Sequence, residues 1–229
     1  MSDYDDVWLV IPAYNEGTVI ADVIEGARKV FPNIVVVDDG STDNSAEHIM
    51  TTGAHLVQHP VNLGQGAALQ TGLAYALKQP GAQYFATFDA DGQHQTPDVE
   101  KMVALLRADA ADVVLGSRFI EQTGEVPWIK RVVLRTAATV SPTARKLNLT
   151  DSHNGLRVLN RHAAAKVRIT MNGMAHASEL VAFLAASGLR VIEVPVDILY
   201  TEYSRSKGQS LINGVNILFD ISLRERGRK

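Results

Sequence analysis

The chain contains no cysteine, and this absence excludes several classes of protein. Its 229 residues therefore carry no disulfide framework and no thiolate metal site, which fits a reducing cytosol. Residues 1–6 are polar and acidic, unlike a secretory signal peptide. No uninterrupted apolar run approaches the roughly 20 residues that a helix needs to cross a bilayer. We therefore expect a cytoplasmic protein without a transmembrane helix.

Two phosphate-binding motifs and an excess of basic charge are also missing. A Gly-x-Gly-x-x-Gly fingerprint does not follow the first predicted strand, and the Walker-type Gly-x-x-x-x-Gly-Lys-Ser/Thr loop is absent. The net charge is −3 and the pI is about 6.2, which argues against a nucleic-acid partner. Hydrophobic residues make up 46% of the chain, enough for one sizeable core. We expect a single domain over residues 1–229.

Apolar runs alternate with segments of helical periodicity along the chain. The predicted strands cover 7–11, 34–37, 54–58, 84–88, 113–115 and 189–194. Thr96 is predicted to cap a helix that has Pro97 at its first position. The alternation predicts an α/β fold with a mostly parallel sheet and helices on both faces.

Two carboxylates follow the predicted strand 84–88 one residue apart. Because alternate side chains of a strand point the same way, Asp89 and Asp91 can face one point beyond its end, and Gln93 can join them. Such an oxygen-only ligand set suits Mg²⁺ or Mn²⁺ rather than zinc. The alternative is a turn in which these residues only shape the bend.

Polar residues follow the other predicted strands as well. In parallel sheets ligands bind beyond the carboxyl ends of the strands, so these residues are expected to gather at one edge. They are Tyr14, Glu16, Asp38, Asp39, Asp89, Asp91 and Arg118. An acid-rich edge repels bare phosphate but accepts phosphate that arrives with a divalent ion. A metal-bound nucleoside diphosphate satisfies this requirement.

Three motifs in this order resemble those of the family 2 glycosyltransferases. They are PAYNE at 12–16, DDGSTD at 38–43 and DADGQH at 89–94, joined by GSR at 116–118, DSHNGLR at 151–157 and SEL at 178–180. The resemblance is closest to polyprenyl-phosphate sugar synthases of the dolichol-phosphate mannose synthase type. It implies a GT-A, Rossmann-like fold with a nucleotide-sugar-binding half at about 7–119 and an acceptor-binding half at about 120–229.

The resemblance also implies roles on the donor side. Pro12, Tyr14, Glu16 and Asp39 would hold the base and ribose of a GDP- or UDP-linked sugar, with Asp38 nearby. The alternative for Glu16 is an acid that complements a helix macrodipole. For the pair at 38–39 the alternative is turn chemistry.

On the acceptor side, the resemblance implies that Arg118 and Arg131 hold the phosphate of a polyprenyl phosphate. The stretch 126–135 mixes basic and apolar residues, as in a helix that lies on a membrane surface. We therefore expect peripheral contact with the cytoplasmic face of a membrane. The alternative is an ordinary solvated helix face.

The implied reaction is an inverting, metal-dependent glycosyl transfer. Asp89 and Asp91 would bind the metal, Asp89 would also contact the nucleotide, and Lys207 would help to neutralise the departing diphosphate. A lipid phosphate is already an anion and needs no general base. A glycan hydroxyl needs one, and Glu179 is the candidate. The alternatives are an exposed basic loop for Lys207 and a macrodipole complement for Glu179.

The sequence leaves other interpretations of the C-terminal segment and of the function open. The segment 211–223 is apolar at helical spacing and precedes a basic end, so it could contact a membrane, the core or a second copy of the chain in a homo-oligomer. A sugar-phosphate nucleotidyltransferase would share the sheet and the metal, but its Gly-rich basic loop is missing. A non-catalytic nucleotide-binding module is the remaining alternative.

Overall fold

A computed structural model describes residues 2–120 and 147–199, which form seven strands and six helices. The strands are β1 Val7–Ala13, β2 Asn33–Asp38, β3 His55–Gln58, β4 Tyr84–Thr87, β5 Val113–Ser117, β6 Arg157–Asn160 and β7 Val191–Pro195. The helices are α1 Ile20–Arg28, α2 Ser45–Thr51, α3 Gln65–Leu77, α4 Thr96–Arg107, α5 Arg161–Lys166 and α6 His176–Ser187.

One sheet holds all seven strands in the order β3-β2-β1-β4-β6-β5-β7. Every neighbouring pair is parallel except the two that β6 makes with β4 and β5, which confirms the predicted mostly parallel α/β sheet. Because β6 runs in the opposite direction, its first residue, Arg157, lies at the edge where the other strands end.

The sheet separates two apolar cores. β1 and β2 are nearly continuous apolar runs, as expected for parallel strands covered on both faces, and all seven residues of β1 are buried. Helices α1, α2 and α4 cover one face through residues such as Ile24, Ile49 and Met102. Helices α3, α5 and α6 cover the other, for example through Leu73 and Leu184. The result is a three-layer domain.

The predicted start of α4 was wrong by one residue. Gln95 occupies the N-cap position and Thr96 is already helical, with no side-chain hydrogen bond capping the helix. Contacts from the far end of the chain hold this helix start instead. Asp98 Oδ2 accepts the Asp197 N–H at 3.0 Å, and Gln95 Nε2 donates to the Asp197 carbonyl at 3.3 Å. Such long-range partners cannot be read from the local sequence.

Several sequence predictions fall on residues outside the described ranges. These are Arg131, Lys207, the stretch 126–135 and the segment 211–223. Within residues 2–120 and 147–199, no helix has the length and apolarity required to cross a bilayer.

Close packing of α3 on the sheet predicts a large effect of one added methyl group. A Cβ on Gly72 would lie 2.4 Å from Val10 Cγ1, whereas a Cβ on Gly26 of α1 meets nothing within 4 Å. We expect Gly72→Ala to lower the free energy of unfolding by about 1–3 kcal/mol through overpacking. Gly26→Ala should raise it by about 0.5–1 kcal/mol, because alanine favours the helix. Urea denaturation of both variants tests this; equal changes would contradict the described packing.

Candidate active site

The predicted polar residues do lie at one edge of the sheet, where the parallel strands end. Tyr14 and Glu16 follow β1, and Asp38 and Asp39 mark the end of β2. Asp89 and Asp91 follow β4, and Arg118 follows β5. The antiparallel β6 contributes the loop that precedes it, 151–156. This edge is therefore built from residues far apart in the sequence.

The loops after β1 and β2 are joined by hydrogen bonds. The Asn15 N–H donates to Ser41 Oγ at 2.9 Å, and Asn15 Oδ1 accepts the Thr42 N–H at 2.9 Å. Asp43 Oδ2 accepts the Gly17 N–H at 3.1 Å. Asn15 adopts a left-handed backbone with φ of 54°, a conformation that asparagine tolerates better than most residues. These contacts fix the two loops relative to each other.

Asp39 is held entirely by protein groups. It is 3% exposed, and its carboxylate accepts hydrogen bonds from the Leu63 N–H (3.0 Å), the Gly64 N–H (2.7 Å) and His59 Nδ1 (2.6 Å). His59 Nε2 in turn bonds Thr71 Oγ1 at 3.0 Å. Asp39 thus fixes the loop before α3, and its contact with a nucleotide stays a prediction. Sequence reasoning missed His59, which is 20 residues away from its partner.

The other predicted nucleotide-binding residues differ in exposure. Pro12 is buried within β1, and the buried Asp38 accepts the Ser41 N–H at 3.1 Å. Tyr14 is 43% exposed and Glu16 is half-buried. Pro12 and Asp38 therefore shape the backbone of the edge, while the Tyr14 ring lies at the surface.

The carboxylates after β4 concentrate negative charge. Burial and the neighbouring Asp89 carboxylate raise the pKa of Asp91 to about 6; Glu16 adds to this effect, and a hydrogen bond from the Gln93 N–H opposes it. Asp89 Oδ1 accepts a long hydrogen bond, 3.4 Å, from Gln65 Nε2 at the start of α3. A divalent cation bound between the two aspartates would relieve their mutual repulsion.

The donor atoms around this pair fit a hard cation. His94 Nδ1 accepts the Asp89 N–H at 3.1 Å, and its Nε2 faces Asp89 Oδ2 at 3.4 Å. Burial lowers the pKa of His94, which favours the neutral imidazole. The neutral ring then orients Asp89 through these contacts. Across the described ranges, no three His, Asp or Glu side chains converge into a metal cage. Two carboxylates completed by ligand oxygens are a common mode of Mg²⁺ binding.

Arg118 forms a bidentate ion pair with Asp151. Its Nε lies 2.6 Å from Asp151 Oδ2 and its Nη2 lies 2.8 Å from Oδ1, and its backbone N–H also donates to Oδ2 at 3.2 Å. The side chains are 16% and 2% exposed, so water screens the pair little. A planar, two-point contact of this kind fixes the orientation of the guanidinium.

Asp151 is itself fixed by β7. Glu193 accepts the Thr150 N–H at 2.7 Å and the Asp151 N–H at 2.9 Å, and Thr150 Oγ1 bonds Ser117 Oγ at 2.6 Å. Burial raises the pKa of Glu193 despite these hydrogen bonds. Sequence reasoning quoted Asp151 only within a motif and did not single out Glu193, since a glutamate in a predicted strand carries no local signal for a partner.

Glu179 lies in the first turn of α6. Its carboxylate accepts hydrogen bonds from the Thr170 N–H, the Thr170 hydroxyl and the Met171 N–H. Burial raises the pKa of Glu179, but these hydrogen bonds outweigh it and lower the pKa overall. The segment it holds packs on α3, where the Gly66 N–H donates to the Asn172 carbonyl at 2.7 Å. A role as general base stays a prediction that these contacts do not favour.

The Arg118–Asp151 pair predicts a contrast between two identical substitutions. Asp151→Asn removes the charge that balances a largely buried guanidinium, and we expect a loss of about 3 kcal/mol in the free energy of unfolding. Asp109→Asn breaks a pair with Arg190 in which Asp109 is 85% exposed, and asparagine suits its φ of 55°. The free energy of unfolding of this control variant should change by less than about 0.5 kcal/mol. Chemical denaturation measures both, and two small changes would refute the structural importance of the pair.

Known proteins place this fold and site in a family. Residues 8–168 match the model of Glycosyl transferase family 2. The chain is 28% identical to UDP-N-acetylglucosamine–dolichyl-phosphate N-acetylglucosaminyltransferase of Methanococcus voltae, covering 97% of both chains. It is 29% identical to polyprenol monophosphomannose synthase of Mycolicibacterium smegmatis, covering 91% of this chain and 82% of that one.

A solved structure of similar fold is glucosyl-3-phosphoglycerate synthase of Mycobacterium tuberculosis, in complex with Mn²⁺, UDP and glucosyl-3-phosphoglycerate. The TM-score is 0.65 at 20% identity, with 86% of this chain and 72% of that chain covered, and this likeness supports the GT-A fold. The family match extends over most of the chain and includes both the aspartate pair and the Arg118–Asp151 pair. The chain thus belongs to glycosyl transferase family 2, is a glycosyltransferase, and resembles the polyprenyl-phosphate sugar synthases of that family.

Proposed function

We propose that this protein transfers a sugar from a GDP- or UDP-linked donor to a polyprenyl phosphate, with inversion at the anomeric carbon. The observation that carries this proposal is that an acidic site and an arginine site lie at the same edge of the sheet. The acidic pair Asp89 and Asp91 follows β4, and the Arg118–Asp151 ion pair lies beyond β5. The names of two relatives, a dolichyl-phosphate transferase and a polyprenol mannose synthase, support the same acceptor class.

The distance between these sites suits the transfer of one sugar. In the sheet only β6 separates β4 from β5. Neighbouring strands lie about 4.8 Å apart, so the ends of β4 and β5 are separated by about 10 Å. A donor diphosphate at the acidic pair and an acceptor phosphate near Arg118 would leave room between them for a single hexose.

The acidic pair would hold Mg²⁺ or Mn²⁺. The glucosyl-3-phosphoglycerate synthase of similar fold was crystallised with Mn²⁺ and UDP, which supports this choice. When bound, such an ion supplies positive charge that stabilises a departing diphosphate. Asp91 and Asp89 would bind it, with Gln93 directly or through water. Lys207, outside the described residues, is proposed to add a further positive charge.

A phosphate acceptor is favoured over a glycan hydroxyl by the contacts of Glu179. A hydroxyl must lose a proton during attack, and Glu179 was the candidate base. Both of its oxygens accept hydrogen bonds from Thr170 and Met171. A lipid phosphate is already ionised, so the protein only has to position it. Arg118 would do so from the described residues, and Arg131 is proposed to assist.

Apolar side chains on the same edge support contact with a membrane surface. Between 41% and 58% of each is exposed, and all lie in loops around the proposed site. They are Val61, Leu63, Ile120, Met174 and Leu199. A bilayer would cover them while it presents the phosphate of its polyprenyl lipid to Arg118. We propose a peripheral position on the cytoplasmic face, and assembly into a homo-oligomer stays a prediction.

The acceptor can be tested with purified protein, Mn²⁺ or Mg²⁺ and a panel of GDP- and UDP-linked sugars. With polyprenyl phosphate in detergent micelles, we expect a glycolipid whose anomeric configuration is opposite to that of the donor. Thin-layer chromatography of radiolabelled product detects the transfer, and NMR gives the configuration. Transfer to a free saccharide in the same panel, with none to the lipid, would overturn the acceptor assignment.

The metal assignment predicts the effect of a substitution that keeps the local shape. Asp91→Asn retains an oxygen for the Gln93 N–H but loses the charge that binds a divalent ion. We expect turnover to fall by at least roughly 100-fold, with an unchanged melting temperature. Asp22→Asn, an exposed acid on α1, is the control and should retain full activity. Wild-type activity of the Asp91 variant would exclude this residue as a metal ligand.

A further inference from the structure

Arg157 is a buried cation that makes no hydrogen bond and no close ion pair in the described part of the chain. It is 3% exposed at the start of β6, between Thr87 of β4 and Leu115 of β5. Within residues 2–120 and 147–199, no group accepts a hydrogen bond from its guanidinium and no carboxylate forms an ion pair with it. Arg118, by comparison, forms a two-point ion pair with Asp151 through Nε and Nη2. Proteins rarely bury an unpaired charge, so this one calls for an explanation.

The position of Arg157 is central to the proposed site. Asp89 acts on its charge from the side of β4 and Asp151 from the side of β5. The chain just before it lies directly against Asp89, since a Cβ on Gly155 would be 2.4 Å from Asp89 Oδ2. The Thr87 hydroxyl fixes this segment by donating to the Gly155 carbonyl at 2.5 Å. The guanidinium is therefore held between the donor side and the acceptor side of the edge.

Two neighbours of Arg157 in the chain also have unsatisfied polar atoms. Asn154 Nδ2 and His153 Nε2 are buried and have no hydrogen-bond partner among the residues that the structure describes. Asn154 Oδ1 already accepts the Leu156 N–H at 2.9 Å, so the polar atom left over is Nδ2, which is a hydrogen-bond donor. The Asn154 amino group and the Arg157 guanidinium therefore offer several hydrogen-bond donors at this edge. Their natural complement is a ligand with many oxygen atoms.

We propose that Arg157, together with Asn154, binds the hydroxyl groups of the sugar that is transferred and selects which sugar is accepted. This inference rests on the proposed function, because it places the sugar between the diphosphate and the acceptor phosphate. The fixed fork of a guanidinium recognises two oxygens only in a suitable orientation. A sugar with a hydroxyl in the wrong orientation would leave these buried donors unpaired, which is a strong basis for discrimination.

The test compares two ligands in the absence of an acceptor, so that no turnover occurs. Calorimetry with Mg²⁺ would measure the affinity of GDP and UDP, and then of the nucleotide sugar that the wild type binds best. We expect Arg157→Lys and Arg157→Met to lower the affinity for the nucleotide sugar by roughly tenfold or more, as for the loss of a charged hydrogen bond. The affinity of the matching nucleoside diphosphate should stay within about twofold. Arg161→Lys, at the first residue of α5 just beyond the other end of β6, is the matched control.

Thermal unfolding separates recognition from a structural role. Because the unpaired charge is costly to bury, Arg157→Met should keep or raise the melting temperature while it weakens sugar binding. If both variants melt at lower temperatures and lose affinity equally for the nucleotide sugar and the nucleoside diphosphate, Arg157 has a structural role and the inference is overturned. Unchanged nucleotide-sugar affinity in both variants would also overturn it. A wild type that binds no nucleotide sugar would instead refute the proposed function, and this inference with it.

Discussion

Opposite charges alternate across the ends of three adjacent strands, and the site depends on this arrangement. Asp89 follows β4, Arg157 begins β6, and the Arg118–Asp151 pair lies beyond β5. Each charge is partly or fully removed from water, where isolated charges are costly and paired ones are strongly oriented. The edge can remain polar inside a compact fold only because acids and bases neighbour one another. In the proposed reaction, the metal would lie beside the acids, and the anionic donor and acceptor would lie beside the metal and the arginines. No two like charges would then be left in contact.

The sheet was largely predictable from the sequence, because parallel strands buried on both faces are continuous apolar runs. β1 and β2 are mostly apolar, and the structure extends β1 by two residues and β2 by one residue at each end beyond the predicted bounds. The direction of β6 was not predictable. Its four residues, Arg157–Asn160, follow a turn and look like any short strand, and only pairing with β4 and β5 reveals the reversal. That reversal brings Arg157 to the site.

The candidate site was predictable in residue type and less so in partners. The spacing of Asp89 and Asp91 after a strand predicts a shared cation or, as the alternative, a turn, because both are features of local geometry. Asp39 and Glu179 were equally prominent in the sequence, yet their carboxylates accept hydrogen bonds from segments that local patterns do not connect to them. A carboxylate at a strand end or helix start has the same sequence signature whether it meets a ligand or a backbone N–H. Only the three-dimensional contacts distinguish these cases.

The final described strand links the two sides of the site. Glu193 of β7 holds the loop that orients Arg118, and the chain just after β7 holds the loop of the aspartate pair, where the Leu199 N–H donates to the Gln93 carbonyl at 3.0 Å. Because β7 and the residues just after it anchor both loops, a shift of the loop at Arg118 would also disturb the loop of the aspartate pair. Charged groups held in advance by rigid strands need no reorganisation when charge develops during a reaction. In the proposed mechanism, the opposite charges lie about two strand spacings apart and would be held in place by loops at the ends of adjacent strands.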